Sequence, residues 1–187
     1  MDWEALGDEL DTIGDITNRA QRIADYRRLL DQVSAGEEGW AEVQMYLADD
    51  LLAEGLVDDA RATYQAALDD GGRTVLDPRA GLLDIALAAE DGAGVDELLT
   101  RLMVSSRADE LVLGDYEWIA ESLEEAGRLR EALRWFTIPL RDIQPGDVHL
   151  MPVLCLNGRW RVRRELGLPL DAYDDAHEVL HSLDDGA

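Results

Sequence analysis

Apolar residues recur along almost the whole chain at intervals of three and four, with acidic residues between them. This spacing places the apolar side chains on one face of an α-helix. Glycine and proline fall between the periodic segments, and no alternating strand pattern or Asn-Gly hairpin turn occurs. We therefore predict an all-α protein. The predicted helices cover residues 2–13, 16–34, 38–54, 58–70, 78–90, 94–105, 109–126, 128–142, 152–167 and 169–183.

The segments between the predicted helices are short, which predicts that consecutive helices pack as antiparallel hairpins. Asp77 and Pro78 form a start signal, because aspartate is a good N-cap and proline suits the first helical position. No proline- or serine-rich linker interrupts the chain. We therefore predict one domain over residues 1–187.

An internal repeat is the most specific pattern in the sequence. A glycine is followed five residues later by an alanine, and eight residues after that by a leucine. An aromatic residue stands four residues after the alanine in the first two copies. Glycine permits a tight turn between two helices, and alanine lets them approach closely. The three copies are Gly55, Ala60, Tyr64 and Leu68; Gly127, Ala132, Phe136 and Leu140; and Gly167, Ala172 and Leu180.

This pattern resembles the tetratricopeptide repeat, a helix–turn–helix repeat with small residues, a turn glycine and an aromatic at fixed positions. Ala48, Gly55, Ala60, Tyr64 and Ala67 match it in one copy, and Ala120, Gly127, Ala132 and Phe136 match it in another. The matching repeats cover residues 41–72 and 113–145, and degenerate hairpins cover 1–36, 78–106 and 150–183. Pro139 replaces the last alanine of the second copy, so we expect the eighth helix to kink or weaken near its end.

The resemblance implies an α-solenoid of five antiparallel hairpins wound into a right-handed superhelix. It also implies that a peptide or protein partner binds on the concave face, which the first helix of each hairpin forms. The repeat register places two groups of residues there, namely Glu42, Met45, Asp49 and Leu52, and Glu117, Glu121, Glu124 and Glu125. Such a face would attract a basic or amphipathic segment. The alternative is that these acidic residues belong to an ordinary solvated surface.

Four of the arginines lie within six residues around Trp160, and arginine with tryptophan is typical of a binding hot spot. Arg159, Trp160 and Arg163 are therefore candidates for holding an anionic group or an acidic peptide. The alternative is pairing within the chain, to Glu165, Asp171, Asp174 or Asp175.

His177, Glu178 and His181 form a His-Glu-x-x-His string, the helical spacing of two zinc ligands and a general base. A zinc site needs a third ligand, and only six residues follow His181, so an upstream carboxylate or His149 would have to complete it. The competing interpretation is a surface helix whose terminal His181 faces the negative end of the helix dipole.

Charge and cysteine content narrow the function further. The 187 residues include 41 acidic and 17 basic residues, a formal net charge of −24, which argues against nucleic acid and anionic membranes as partners. The single cysteine, Cys155, excludes a disulfide framework and is predicted to be buried. All basic residues are arginine, which indicates a GC-rich bacterial or archaeal genome.

No nucleophile or phosphate-loop motif occurs, and the first residues are not a signal peptide. The sequence therefore predicts a cytoplasmic, non-enzymatic protein-interaction module without a cofactor. Two alternatives stay open, a metal-dependent hydrolase that uses the His-Glu-x-x-His string and an acidic mimic of nucleic acid.

Overall fold

The computed structural model describes residues 3–184, with side chains described through residue 182. The prediction of an all-α fold is confirmed, because the described residues form ten α-helices and no strand. Two short 3₁₀ helices, Ile138–Leu140 and Val148–Leu150, lie in one long connection. The α-helices are α1 Trp3–Gly14, α2 Arg19–Leu30, α3 Trp40–Ala53, α4 Val57–Asp70, α5 Pro78–Ala88, α6 Gly92–Arg107, α7 Leu113–Glu125, α8 Leu129–Thr137, α9 Val153–Glu165 and α10 Ala172–Asp184.

The chain divides into two compact units, Met1–Val104 and Ser105–Ala187. In the first unit, helices α1 to α4 each pack against the next helix along the chain, and the α3–α4 contact is the most extensive. In the second unit, α7 packs on α8, α8 on α9, and α9 on α10, while α7 also contacts α9. Each unit therefore contains one hairpin with the matching repeat pattern.

The repeat alanines and aromatics form the centres of the two units. Ala60, Tyr64, Ala132 and Phe136 are each fully buried. Each aromatic ring packs on a glycine in the helix after the hairpin: a Cβ atom at Gly81 would lie 2.3 Å from Cζ of Tyr64, and one at Gly158 would lie 2.3 Å from Cζ of Phe136. These glycines therefore let the following helix approach the ring directly.

The predicted glycine turns are present. Gly55, Gly127 and Gly167 have positive φ angles of 78°, 73° and 64°. The residue after each glycine bonds back to the helix, as in Leu56 N to Leu51 O at 2.9 Å. This is the Schellman ending of a helix, which favours glycine.

The third repeat copy departs from the predicted register. Helix α10 begins at Ala172, three residues later than predicted, and this alanine is exposed. The carboxylate of Asp171 caps the helix by accepting a hydrogen bond from Tyr173 N at 3.0 Å. The buried small residue of α10 is Ala176, one turn further along.

Capping side chains and proline determine where several other helices begin or end. Asp77 caps α5 by accepting a hydrogen bond from Arg79 N at 2.9 Å, with Pro78 in the first position, as predicted. The α-helical part of α8 ends at Thr137 and gives way to a 3₁₀ turn at Pro139, so the expected weakening is also present. Helix α2 begins later than predicted because Asn18 caps it, with its side chain accepting from Gln21 N.

Candidate functional site

The predicted binding residues of α3 do not share one exposed face. Glu42 and Met45 are each only 4% exposed, so their predicted outward position is wrong. The carboxylate of Glu42 accepts a hydrogen bond from Val75 N at 2.8 Å and thereby holds the loop before α5. Burial raises the pKa of Glu42. Leu52 is half-buried, and only Asp49 is exposed.

Asp49 reaches solvent, yet protein crowds its carboxylate. The hydroxyl of Tyr64 donates to Oδ1 of Asp49 at 2.5 Å. Burial raises the pKa of Asp49 to about 6, with further increases from Asp50, Glu42 and Asp84, while the Tyr64 hydrogen bond acts in the opposite direction. Burial likewise raises the pKa of Tyr64. The aromatic residue of the first matching repeat is thus tied to an acidic side chain of α3.

The acidic residues predicted on α7 lie together in the second unit. Glu121, Glu124 and Glu125 line an open depression with a volume of about 370 Å³, and Arg161 of α9 closes one side. Arg161 pairs with Glu124 through two bonds of 2.6 Å, from Nε and Nη2. Glu121 and Glu125 are exposed. The depression therefore presents two accessible carboxylates beside one carboxylate that is already paired.

Glu117 lies on the same face, one turn before Glu121. It is half-buried, and its pKa is raised by burial and by the charge of Glu121. Both glutamates also act on Cys155, which is fully buried and whose pKa burial raises to about 12. Burial therefore favours the protonated thiol, and the prediction that Cys155 is a buried residue is confirmed.

Arg159 and Arg163 of α9 pair with carboxylates within the second unit. Arg159 is 5% exposed and bonds Asp171 through Nη2 at 2.6 Å. Arg163 bonds Asp174 through Nε at 3.0 Å. These pairs match the alternative of internal pairing that the sequence left open, with Asp171 and Asp174 as the partners. Arg159 and Arg163 are thus structural in this conformation, joining α9 to the start of α10.

Trp160 of α9 contacts His177 of α10, whose ring also contacts that of His181. The rings of Trp160 and His177 lie parallel with centroids 4.5 Å apart, and those of His177 and His181 are 4.4 Å apart. Burial and the neighbouring His181 lower the pKa of His177. Within the described part of the chain, no three histidine, cysteine, aspartate or glutamate side chains are grouped to hold a metal ion. The third zinc ligand required by the motif is therefore not found among these residues.

A second depression, not expected from the sequence, lies along α8 and the turn that follows it. It also has a volume of about 370 Å³, and it is lined by Arg130, Leu133, Arg134, Thr137, Ile138 and Arg141. The spacing of four and seven residues between its arginines would place them on one helical face. Nothing in the sequence distinguished them from other arginines of this acidic chain.

Comparisons with known proteins do not assign this chain to a family. No protein-family model, no curated protein and no solved structure matches the chain. Between residues 3 and 184, no helix is both long enough and apolar enough to span a membrane.

Proposed function

We propose that this protein is a non-enzymatic interaction module built from tetratricopeptide-like helical hairpins arranged as a solenoid. Support comes from the repeated construction of its two matching hairpins. Each has a positive-φ glycine at the turn, a fully buried alanine, and a buried aromatic ring against a glycine of the next helix. A hairpin of this kind buries its apolar surface only when a neighbouring helix covers it, which is the principle of repeat architectures.

The acidic depression of the second unit, lined by Glu121, Glu124, Glu125 and Arg161, is the observation that carries the proposal. Two of its carboxylates are exposed and repel each other across one turn of α7, which destabilises the isolated helix. A basic segment of a partner protein would relieve that repulsion and form charge-assisted hydrogen bonds. The proposed ligand is therefore a segment that carries arginine or lysine side chains.

Charge reversal tests this proposal. Glu121→Arg with Glu125→Arg should abolish retention of the partner in affinity pull-downs from the native lysate, and the retained protein should carry a basic segment. Asp175→Arg with Glu178→Arg is the matched control, because both residues are exposed carboxylates of α10 in the same unit. Circular dichroism should show that both variants fold. Equal retention by wild type and the Glu121 and Glu125 variant would exclude the acidic depression as the binding site.

A further inference from the structure

Helix α10 contributes little apolar surface to the core of the second unit. Between residues 172 and 182, Ala176 is its only buried apolar side chain. Tyr173 and Leu180 are half-buried, and Val179 is exposed. Segments with few buried apolar contacts open locally at a lower free energy than the rest of a domain. Opening of α10 would uncover the apolar cluster to which Ala176 belongs, and whose other buried members are Leu140, Met151 and Leu156.

The contact between α9 and α10 contains a buried histidine. His177 is 9% exposed, and its ring lies parallel to that of Trp160, with an angle of 7° between the two planes. The ring of His181 lies 4.4 Å away. Nδ1 of His177 is buried and has no hydrogen-bond partner among the described residues. Protonation would therefore place a charge in a desolvated site, with an unsatisfied N–H group and a second histidine one turn away.

Charges on α10 act on His177 in both directions. Burial and then the neighbouring His181 lower its pKa, whereas Asp174 and Glu178 raise it, and the net shift is downward. Cations of α9 compete for the Asp174 carboxylate. Nε of Arg163 bonds its Oδ2 at 3.0 Å, and Nη1 of Arg159 lies 3.6 Å from its Oδ1.

Two further cationic or titratable groups lie on elements packed against α10. Arg164 of α9 lies over the Trp160 ring, 4.8 Å from its centroid, so a cation is already present at the aromatic contact. The 3₁₀ helix Val148–Leu150 also packs on α10, and its one titratable side chain, His149, is exposed. A charge on His177 would thus be added to a contact that already contains three arginines.

We infer that α10 is an acid-released cover, which protonation of His177 loosens from α9 so that the apolar cluster of Leu140, Met151 and Leu156 becomes accessible. The pKa of folded His177 lies below that of the unfolded residue, about 6.5, so the opened state binds more protons between the two values. The free energy of opening is therefore greatest above about pH 6.5 and falls as the pH is lowered below it. This cover does not depend on the acidic depression.

The ion pair of Arg159 with Asp171 holds the start of α10 and stays charged over this range. Although burial acts to raise it, the hydrogen bond from Arg159 lowers the pKa of Asp171 on balance, so Asp171 is ionised at pH 5. Loosening of α10 between pH 7 and pH 5 is therefore expected from the histidine and not from this pair.

Hydrogen exchange with mass spectrometry at pH 7, 6 and 5 measures this opening in the 187-residue protein, with labelling times scaled to the intrinsic exchange rate at each pH. Protection of α10 should fall about threefold or more from pH 7 to pH 5, while protection of α7 and α8 changes less. The hydrophobic dye ANS should bind more strongly at pH 5 as the apolar cluster becomes accessible. In NMR spectra, the ring of His177 should titrate with a midpoint below 6.5.

Three variants identify the responsible group. His177→Phe keeps an aromatic ring on Trp160 but does not titrate, so the ratio of α10 protection at pH 7 to that at pH 5 should fall to the ratio found in α7 and α8. Because this ratio is taken within one variant, it is unaffected by an overall change in stability. His181→Gln should reduce the ratio, and His149→Gln, the matched control at an exposed histidine, should leave it unchanged.

Equal loss of protection in α10, α7 and α8 would overturn the inference, because acid would then destabilise the whole unit. An unchanged ratio in His177→Phe would also overturn it, and loss of the ratio in His149→Gln would assign the pH dependence to that residue instead. A dye response that persists in His177→Phe would show that the apolar cluster is not exposed through α10. A His177 midpoint at or above 6.5 would remove the driving force for release.

Discussion

Gly81 lies so close to the Tyr64 ring that adding a single methyl group to it would produce a steric clash. A Cβ atom at Gly81 would lie 2.3 Å from the buried Tyr64 ring, whose own hydroxyl is held by Asp49. The ring cannot move outward without losing that hydrogen bond. Gly158 stands in the same relation to Phe136, which carries no hydroxyl.

Gly81→Ala should therefore destabilise the first unit by about 1–3 kcal/mol, the usual effect of overpacking a filled core. Gly7→Ala is the matched control, because Gly7 is also helical, belongs to the same unit and has no atom within 4 Å of the added Cβ. The control should be neutral or stabilising by up to about 1 kcal/mol, since alanine is the better helix former. Urea unfolding followed by circular dichroism measures both. Equal effects would contradict the close packing.

Asp49 should titrate near pH 6 in the folded protein, because burial raises its pKa to about 6. The unfolded residue titrates at about 3.9, so the folded state binds more protons between the two values. The free energy of unfolding should consequently fall as the pH rises from about 4 to about 6 through this group. Carboxyl ¹³C chemical shifts measure the midpoint directly, and a midpoint near 4 would refute the effect of burial.

Asp49→Asn isolates this contribution to stability. Asparagine keeps an oxygen that accepts from the Tyr64 hydroxyl but does not titrate, so the fall in stability between pH 4 and 6 should be smaller in the variant. Asp58→Asn removes one charge from an exposed position of α4 and serves as the control. An unchanged pH dependence in Asp49→Asn alone would show that the fall arises from other carboxylates.

At the scale of elements, the same type of helix ending, with one residue in the left-handed conformation, is formed by glycine in some turns and by an acidic residue in others. Helix α5 ends like the glycine-turn helices, with Asp91 N bonding Ala86 O at 3.0 Å, but Glu90 occupies the left-handed position at a φ of 54°. Helix α6 ends in the same way at Asp109, whose φ is 55°. The hairpin over residues 78–106 therefore keeps the repeat turn although its sequence lacks the turn glycine.

Glu90→Gly should stabilise the protein by about 0.5–1 kcal/mol, because glycine adopts the left-handed conformation without steric strain. Gly55→Ala should have the opposite effect and destabilise by a similar amount. Its added Cβ meets nothing within 4 Å, so its effect reports backbone strain alone. Both are measured as shifts in urea midpoint. A destabilised Glu90→Gly variant would mean that the Glu90 side chain makes a stabilising contact that outweighs the strain.

The buried alanine of the first matching hairpin gives a complementary test. Ala60 is fully buried, while Ala62 on the same helix is exposed. Ala60→Leu should destabilise by about 1–3 kcal/mol because α3 and α4 cannot separate without losing other contacts. Ala62→Leu should change stability by less than about 0.5 kcal/mol. An unchanged thermal midpoint for Ala60→Leu would contradict the repeat assignment at this position.

Helices and turns were predictable from the sequence because they depend on neighbours within a few residues. The glycine turns, the Asp77 cap and the interruption at Pro139 are of this kind. Which residues of α3 are exposed was not predictable in this way. Glu42 is buried under the loop before α5, where it accepts a hydrogen bond from Val75 N, 33 residues away in the sequence. The contacts of Gly81 with Tyr64 and of Gly158 with Phe136 also join separate helices. Their only trace in the sequence is a glycine inside an apolar helical segment.

For the whole molecule, charge is distributed unequally between the two units. The first unit contains 24 carboxylates and 8 arginines, and the second contains 17 carboxylates and 9 arginines. Their formal net charges are thus −16 and −8. Both units contain ion pairs between helices, such as Arg22 with Asp50 in the first and Arg161 with Glu124 in the second. Net repulsion should therefore oppose folding more strongly in the first unit.

Salt should consequently stabilise the first unit more than the second. The Debye length falls from about 10 Å at 0.1 M to about 3 Å at 1 M, which screens repulsion between carboxylates that are not in contact. Close pairs such as Arg159 with Asp171 are screened less where they are buried. Hydrogen exchange with mass spectrometry can follow both units in one sample, with peptides from α3 and α4 compared with peptides from α7 and α8. We expect protection in α3 and α4 to increase with sodium chloride, and protection in α7 and α8 to change less. Equal protection gains would show that the difference in net charge does not control stability, and a loss in both units would show that ion pairs outweigh net repulsion throughout.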